Sequence, residues 1–367
     1  MNNTCFITGG TGSLGRELIP RILQSDLDAE IVLLLRGRDP GEVSTRLASL
    51  SEFLRRCTDP ASLGRVRAAA GDVTLPGLGL AVDASESLRR RVTHIIHAGA
   101  SIRLNQPIED ARRINRLGTC ETLTFAERCP NLRRFAHVST AYVAGDRTGT
   151  IREDELREGQ RFLNAYEQSK CEAEEIVRLR RGCLPISIFR PSIIVGDSTD
   201  GHTCNFGTLY HPLKLIARGL LREIPGDPRA PLDLVPVDYV ADCIVRLTQA
   251  PPRECATYHV SAGLKGAVSV AELVSSVLTH CGRGIPVAPR FVRAHFRQRA
   301  RGHELSCFFQ YLSGSKNFDD STLRRDLGAR ASCPAAREFL PRLLSFCEST
   351  RWGRELPWER TSLAAAA

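Results

Sequence analysis

A tyrosine and a lysine stand four residues apart in Tyr166-Glu167-Gln168-Ser169-Lys170. On a helix this spacing places both side chains on one face. A phenol with an ordinary pKa of about 10 exchanges protons poorly at neutral pH, and a neighbouring ammonium lowers that pKa by favouring the phenolate. The pair therefore predicts proton transfer by Tyr166, assisted by Lys170, unless it is only a surface pair on a helix.

A hydroxyl group is the second candidate for chemistry, in Val138-Ser139-Thr140-Ala141 after an apolar run. Ligands of open α/β sheets bind outside the carboxyl ends of the strands. A hydroxyl there can donate to a carbonyl oxygen as negative charge develops. Counting back from Gly145 favours Thr140 over Ser139, whose alternative role is to cap backbone groups.

A glycine-rich turn, Thr8-Gly9-Gly10-Thr11-Gly12-Ser13-Leu14-Gly15, follows an apolar run and opens a helical segment. In this pattern the first glycine permits the tight turn, the second lets the backbone approach a pyrophosphate and the third lets helix and strand pack closely. The helix N-terminus supplies N–H donors to phosphates. The strand–turn–helix context predicts a dinucleotide site rather than an ordinary turn.

The end of the next apolar run bears on the choice of cofactor. An NAD site places an acid about 20 residues after the glycines, but Arg36 occupies that position, with Arg38 close behind and Asp39 too late. A guanidinium suits a 2′-phosphate, which predicts NADPH rather than two solvated loop arginines. Asp72 follows a third apolar run and could accept a hydrogen bond from adenine, or serve as a turn residue or helix cap.

We predict catalysis by Thr140, Tyr166 and Lys170, and no metal site. The predicted cofactor contacts are Thr8, Gly9, Gly12, Ser13, Leu14, Gly15, Arg36, Arg46, Asp72, Val73, Ala98, Gly99, Tyr166, Lys170, Pro191 and Ile193. The 13 cysteines include no Cys-x-x-Cys pair and no zinc-finger spacing. Most are expected to be reduced, buried and apolar in behaviour.

Short apolar runs alternate with amphipathic stretches over the first 200 residues or so, which is typical of βαβ units. The predicted strands are Cys5 to Thr8, Ile31 to Arg36, Val66 to Gly71, His94 to His97, Phe135 to Ser139, Ile186 to Arg190 and Thr257 to Val260. A helix is predicted from Ser13 to Gln24, kinked or ended early by Pro20. The expected fold is a Rossmann-type doubly wound parallel sheet (1–200, also taking in 232–262) with a smaller, largely C-terminal substrate-binding subdomain (201–367) whose C-terminal part is helical.

Composition argues against several other classes of protein. The net charge is +9, but the basic residues are spread along the chain and aromatic residues are only 6%, so no nucleic-acid partner is expected. No apolar run reaches the ~20 residues of a transmembrane helix, and no signal peptide precedes Cys5. We therefore expect a cytoplasmic location. One Arg-rich stretch could dock an anionic partner or be a solvated helix face: Arg290, Phe291, Arg293, Phe296, Arg297, Arg299 and Arg301.

Further motifs connect these residues to a known family. They are His97-Ala98-Gly99-Ala100-Ser101, Asn115-Arg116-Leu117-Gly118-Thr119, the Asn164–Lys170 run, Phe189–Gly196 and Val235–Asp242. Together with the glycine turn they resemble the extended short-chain dehydrogenase/reductases, and within them the fatty acyl-CoA reductases and thioester reductase domains. The resemblance covers roughly residues 4 to 260, while the C-terminal hundred residues match only loosely.

The resemblance implies a Thr140/Tyr166/Lys170 triad and NADPH-dependent reduction of an acyl thioester carried on coenzyme A or on an acyl carrier protein. Hydride would attack the thioester carbonyl, Tyr166 and Thr140 would stabilise the oxyanion with Tyr166 as the acid, and the hemithioacetal would collapse to an aldehyde. A second hydride would give the alcohol.

Two alternatives remain open at this level. One is an extended short-chain dehydrogenase acting on a hydroxysteroid-like alcohol or ketone, or on a sugar nucleotide. The other is a non-catalytic NADP-binding sensor or scaffold, a class that can lose the tyrosine retained here. The acyl chain, its carrier, the extent of reduction and the oligomeric state are not determined by the sequence.

Overall fold

The computed structural model describes residues 3–207, 209–250, 256–281, 288–292 and 308–358. Its strands are β1 (Thr4–Thr8), β2 (Glu30–Leu35), β3 (Val66–Ala70), β4 (His94–His97), β5 (Arg134–Val138), β6 (Gly149–Ile151), β7 (Ile186–Pro191), β8 (Ile193–Val195), β9 (Glu223–Pro225), β10 (Pro231–Leu232), β11 (Leu234–Pro236), β12 (Ala256–Val260), β13 (Val268–Ser269), β14 (Arg290–Val292) and β15 (Lys316–Phe318).

The described α-helices are α1 (Ser13–Ser25), α2 (Pro40–Leu54), α3 (Pro60–Leu63), α4 (Val82–Arg91), α5 (Ile108–Arg112), α6 (Gly118–Ala126), α7 (Ala165–Arg178), α8 (Tyr210–Ala217), α9 (Val237–Gln249), α10 (Gly263–Gly266), α11 (Val270–Cys281), α12 (Ser321–Leu327) and α13 (Ala336–Ser349). Short 3₁₀ turns span Pro76–Gly79, Ala141–Ala144, Gln310–Ser313 and Gly328–Ala331, and a π-helical turn spans Arg113–Leu117.

A seven-stranded parallel sheet forms the centre of the fold, in the order β12-β7-β5-β4-β1-β2-β3. The strand order reverses at β1, which pairs with β2 on one side and β4 on the other. Such a switch point opens a crevice at the carboxyl ends of the strands, where ligands bind. The predicted Rossmann-type sheet is confirmed, and each predicted strand coincides with an observed one to within one residue at either end.

The apolar runs at the centre of the sheet form strands that are buried on both faces, whereas the edge strand β3 is only partly buried. One face packs Ile19 of α1, Leu33 of β2 and Val240 of α9 into a common cluster. The opposite face packs Phe6 of β1 against Phe125 of α6, with ring centroids 5.1 Å apart. Helices therefore cover both faces of the sheet and leave its carboxyl edge open.

The first helix does not end at its proline, as the sequence had suggested it could. It continues through Pro20 to Ser25, although Pro20 has no amide hydrogen to donate within the helix. Ile22 and Leu23, beyond the proline, are both buried in the core. The packing of this final turn offsets the lost backbone hydrogen bond.

A second apolar cluster joins Val195 of β8 to the chain beyond residue 200. It joins Leu213 of α8, Val274 of α11 and Leu343 of α13. Leu323 of α12 and Trp358 pack instead against the core of the main sheet. In the part of the chain that the structure describes, no helix is long and apolar enough to cross a membrane, and no disulfide forms.

Candidate active site

A cavity of about 530 Å³ opens at the carboxyl edge of the sheet, at the switch point beside β1 and β4. Its walls come from the glycine turn, the segment after β4, the end of β5, the first turns of α7, the β7–β8 junction, the segments 203–207 and 209–210, and the turn at residues 308–311. The predicted site residues that line it are Gly9, Gly12, Ser13, Leu14, Gly15, Ala98, Thr140, Tyr166, Lys170, Pro191 and Ile193. The fold thus brings the glycine turn and the proposed triad to one cavity.

The glycine turn needs glycine for two separate reasons. Gly9 has φ +77°, and a Cβ there would lie 2.7 Å from the backbone of Ala98. A Cβ on Gly15 would lie 2.2 Å from the Gly9 carbonyl oxygen. Gly12 has φ −73° and its Cβ would meet only that same oxygen, at 3.3 Å. No side chain therefore covers the backbone of Gly12 on the side of the cavity, as a close approach to a pyrophosphate requires.

Two polar groups beside this turn have unused hydrogen-bonding capacity. Ser13 Oγ and Arg16 Nη1 are buried without a hydrogen-bond partner among the described residues. Arg16 is held by a hydrogen bond from its Nε to the Thr11 carbonyl (3.0 Å) and by the ring of Phe53, 4.9 Å from its guanidinium carbon. Buried donors seldom remain unsatisfied in proteins, so both groups fit an anionic ligand at the N-terminus of α1.

The tyrosine is placed by a reciprocal helix cap. The Asn164 side chain accepts a hydrogen bond from the Glu167 amide (3.0 Å), and the Glu167 carboxylate accepts one from the Leu163 amide (2.9 Å). Such caps determine where a helix begins. They start α7 at Ala165, which puts Tyr166 in its first turn, facing the cavity with Thr140. Thr140 precedes a 3₁₀ turn and its Oγ1 accepts from the Tyr142 amide at 3.2 Å.

The protonation of the Tyr/Lys pair differs from the sequence prediction. Burial raises the pKa of Tyr166 to about 12, although a hydrogen bond with Thr140 opposes that shift. Burial also lowers the pKa of Lys170 to about 8, opposed by the nearby Glu174 carboxylate. The Lys170 ammonium donates to the Val138 carbonyl at 2.7 Å. We expected Lys170 to lower the pKa of Tyr166, but in this structure desolvation of the phenol dominates.

A buried ion pair fixes the helix that carries Tyr166 and Lys170. Glu174 on α7 and Arg190 on β7 have fully buried side chains, and the Glu174 carboxylate accepts two hydrogen bonds from Arg190, at 2.6 and 3.0 Å. Ser139 donates to the same carboxylate at 2.7 Å. The Ser139 hydroxyl therefore has a supporting role, consistent with our preference for Thr140.

The histidine and asparagine motifs act as internal supports. The His97 ring lies between two threonine hydroxyls, 2.7 Å from Thr8 Oγ1 and 3.0 Å from Thr119 Oγ1. Asn115, in the π-helical turn, bonds the Ser101 backbone in both directions and donates to Ser169 of α7. These contacts hold the segment after β4 against α7 and so shape one wall of the cavity.

Six predicted cofactor contacts lie outside this cavity: Thr8, Arg36, Arg46, Asp72, Val73 and Gly99. Thr8 is fully buried, and its hydroxyl accepts from the Gly99 amide at 3.1 Å, so it supports the turn from below. Asp72 accepts from the Thr74 amide at 2.8 Å, which is its turn role. Arg46 pairs with Glu42 on α2. Arg36 is exposed directly after β2.

Several cavity residues were not predicted as site residues, although the stretch from Tyr311 to Asp319 resembles the end of the acyl reductase domain. Ile102, Leu104 and Leu209 add apolar surface, and Phe308 and Tyr311 reach the site from more than 130 positions beyond Tyr166. The Tyr311 hydroxyl accepts from Asn164 Nδ2 at 2.8 Å, and its ring packs edge-on against Tyr142 with centroids 4.9 Å apart. Arg16 was identifiable only as the basic residue directly after the glycine turn.

The Arg-rich stretch can be described only in part. Arg290 lies on β14, which pairs with β9, and its guanidinium forms an exposed ion pair with Glu223. The rest of the stretch predicted to dock an anionic partner or to form a solvated helix face, residues 293–301, lies outside the described residues.

Comparison with known proteins agrees with this geometry. Residues 7–244, well over half of the chain, match the family model described as male sterility protein, an NAD-binding domain. The chain belongs to this family. It is also similar in fold to the terminal reductase domain of the myxalamid biosynthetic pathway, with a TM-score of 0.81 and 27% identity over 96% of this chain and 92% of that one.

The chain's curated relatives include reductases and synthetases that are longer than the chain itself. A fatty acyl-CoA reductase (wat) of Drosophila melanogaster is 27% identical over 65% of this chain and 53% of its own length. A linear gramicidin synthase of Brevibacillus parabrevis is 30% identical over 70% of this chain but only 5% of its own length. The chain thus spans about half the length of the fatty acyl-CoA reductases that it matches.

Proposed function

We propose that this chain is an NADPH-dependent oxidoreductase that reduces an acyl thioester, carried on coenzyme A or on a carrier protein, to an aldehyde or alcohol. The observation that carries the proposal is one cavity lined jointly by the glycine turn, Thr140, Tyr166, Lys170 and apolar side chains. The fatty acyl-CoA reductases and synthetase reductase domains among its relatives favour a thioester as the substrate.

The residues present fit a nicotinamide dinucleotide. Its pyrophosphate would fit against the N-terminus of α1, where Gly12 has no side chain. The unpaired polar groups of Ser13 and Arg16 would bind it there. Lys170, which lines the same cavity, would hold the ribose, and the exposed Arg36 would suit a 2′-phosphate. The chemistry that this cofactor supplies is a hydride for the carbonyl carbon.

The chain's own residues would manage the charge that develops on the carbonyl oxygen. A phenol with a pKa of about 12 is neutral at physiological pH, so Tyr166 can donate a hydrogen bond and then a proton. The Thr140 hydroxyl lines the same cavity as this phenol and would turn to that oxygen as a second donor when substrate is bound. The Lys170 ammonium, fixed by the Val138 carbonyl, adds positive charge beneath the pair. The hemithioacetal formed on the substrate then expels its thiol and leaves an aldehyde.

A dehydrogenase acting on an alcohol is the second candidate, because it would use the same triad. Tyr166 would serve such an enzyme equally well, because the acid of a reduction is the base of the reverse oxidation. The thioester is favoured instead by the fatty acyl-CoA reductases among the relatives of this chain. Non-catalytic sensing is disfavoured because the tyrosine, the threonine and the lysine line one cavity.

The test combines a substrate panel with Tyr166→Phe. We expect the wild-type protein to consume NADPH with an acyl-CoA or an acyl carrier thioester and to release an aldehyde or alcohol, identified by mass spectrometry. Tyr166→Phe should lose turnover by 10²-fold or more, roughly the contribution of a positioned acid, while the dissociation constant for NADPH stays the same. Tyr258→Phe, which removes a phenol bonded to Asp326 outside the cavity, is the matched control. Full activity in Tyr166→Phe would refute the mechanism, and turnover of alcohols alone would favour the second candidate.

A further inference from the structure

A second, smaller cavity lies directly behind the wall of the active-site cavity. Its volume is about 20 Å³, and every described side chain that lines it is apolar. Leu213 and Ile216 of α8 form one side, and Leu273 and Val274 of α11 form the other. Among the described residues, Phe308 is the one that lines both cavities.

Phe308 is a firmly placed partition between the two. Its side chain is 4% exposed, and its ring centroid lies 6.4 Å from that of Tyr311. Tyr311 is in turn fixed to the start of the catalytic helix by its hydrogen bond with Asn164 and to Tyr142 by ring packing. The partition therefore stands at the catalytic end of the active-site cavity rather than at its phosphate end.

We propose that Phe308 sets the length of acyl chain that the site accepts, and that the small apolar cavity continues the acyl path beyond it. This rests on the proposed thioester reductase function and names the substrate's aliphatic chain as the occupant. The argument for that occupant is continuity: one ring separates a wholly apolar space from the cavity that holds the triad. A space of about 20 Å³ has room for little more than a water or methyl group. A growing chain should therefore stop at Phe308.

Removing the ring should join the two cavities. Each methylene that then leaves water for the joined cavity contributes about 0.8 kcal/mol, or roughly a fourfold gain in kcat/KM. The experiment compares wild type, Phe308→Leu and Phe308→Ala on saturated acyl-CoA thioesters that lengthen by two carbons at a time. For wild type, kcat/KM should stop rising at one length. For Phe308→Ala that limit should move at least two carbons higher, which changes the ratio of long-chain to short-chain kcat/KM about tenfold or more. Phe308→Leu should shift it less, in the same direction.

A double variant separates this effect from general loosening. Val274 lines the small cavity from the far side and does not line the active-site cavity. Phe308→Ala combined with Val274→Phe refills the opened space, so the ratio should return toward its wild-type value. Dissociation constants of unreactive alkyl-CoA thioethers of the same lengths should follow the same order, which measures the pocket without turnover.

The outcomes distinguish the two proposals. If wild-type protein reduces no thioester in the panel while it does turn over alcohols, the proposed function fails and this inference fails with it. If wild type reduces thioesters but the ratio of long-chain to short-chain kcat/KM is unchanged in both Phe308→Ala and Phe308→Leu, the partition is refuted and the reductase stands. A gain in Phe308→Ala that Val274→Phe does not reverse would also refute it, because the chain would then be entering another space.

Discussion

Replacing Glu174 by glutamine should destabilise the protein severely, because it leaves Arg190 charged and buried. Both side chains have no exposed surface, and the pair is joined by two hydrogen bonds. Removing one partner of a buried pair costs about 3–5 kcal/mol, since the remaining charge loses its compensation. The pKa of Glu174 gives a second measure. Burial alone would raise it, but Arg190 and Arg178 and the Ser139 hydrogen bond outweigh burial and lower it from 4.5 to about 2. That difference corresponds to about 3 kcal/mol.

The same pKa shift predicts how stability depends on pH. A carboxyl whose pKa is lower in the folded than in the unfolded chain stabilises the fold fully above its unfolded pKa, about 4.3. This contribution is lost as pH falls through the folded pKa of about 2. The wild-type free energy of unfolding should therefore decline between about pH 5 and pH 2, and the part of that decline due to Glu174 should be missing in Glu174→Gln.

Urea titrations at neutral pH and across the acid range measure both effects. The matched control is Asp242→Asn, which breaks the exposed ion pair between Asp242 and Arg246 on α9. This variant should lose no more than about 0.5 kcal/mol in its free energy of unfolding. A loss below about 1 kcal/mol in Glu174→Gln, or an acid decline identical to that of wild type, would show that the ion pair does not secure α7 as we infer. Combining Glu174→Leu with Arg190→Met should restore part of the lost stability, because it removes the unpaired charge of Arg190, while Arg178 still loses its bond to Glu174.

Three further predictions concern the cofactor turn, the choice of cofactor and the loop over the cavity. Gly9→Ala should lower the melting temperature and abolish NADPH binding, because φ +77° and the clash at 2.7 Å both oppose a side chain. Gly12 has an ordinary φ of −73°, so Gly12→Ala should keep the wild-type melting temperature and weaken only the binding of NADPH. Arg36→Ala should weaken the binding of NADPH by about 1.5–3 kcal/mol, the contribution of a charged hydrogen bond, and leave the binding of NADH unchanged. Titrations that follow cofactor fluorescence measure both affinities. Equal losses of affinity for the two cofactors would contradict the 2′-phosphate assignment. Although burial opposes it, Glu17 and Asp200 raise the pKa of His202 above 6.5. Its stabilising contribution is therefore complete below about pH 6.5 and lost as pH rises through the raised pKa, so hydrogen exchange at residues 197–207 should quicken with pH in wild type more than in His202→Asn.

The prediction of the fold from sequence succeeded where the signal was local. The central strands β1 and β2 were visible as short apolar runs because a strand buried on both faces carries mostly apolar side chains. The glycine turn was visible because Gly9 needs a positive φ and Gly15 lies against the Gly9 carbonyl, and both demands restrict a position to one residue type. Of the two effects predicted for Pro20, a kink or an early end of α1, the early end was wrong because tertiary packing of Ile22 and Leu23 overrides the local cost of the proline.

Contacts between distant segments were decided only by the tertiary structure. The four-residue spacing of Tyr166 and Lys170 specified their common helix face, but the phenol's pKa depends on how deeply the fold buries it, which no spacing records. Thr8 belongs to the glycine motif, yet its hydroxyl is turned toward His97 in the interior. Local residue types therefore determined the sheet, the turn and the helix face. The partners of Glu174, the position of Phe308 at the cavity wall and the protonation of Tyr166 depend on segments that meet only in the folded chain, because burial and charge pairing act through space rather than along the sequence.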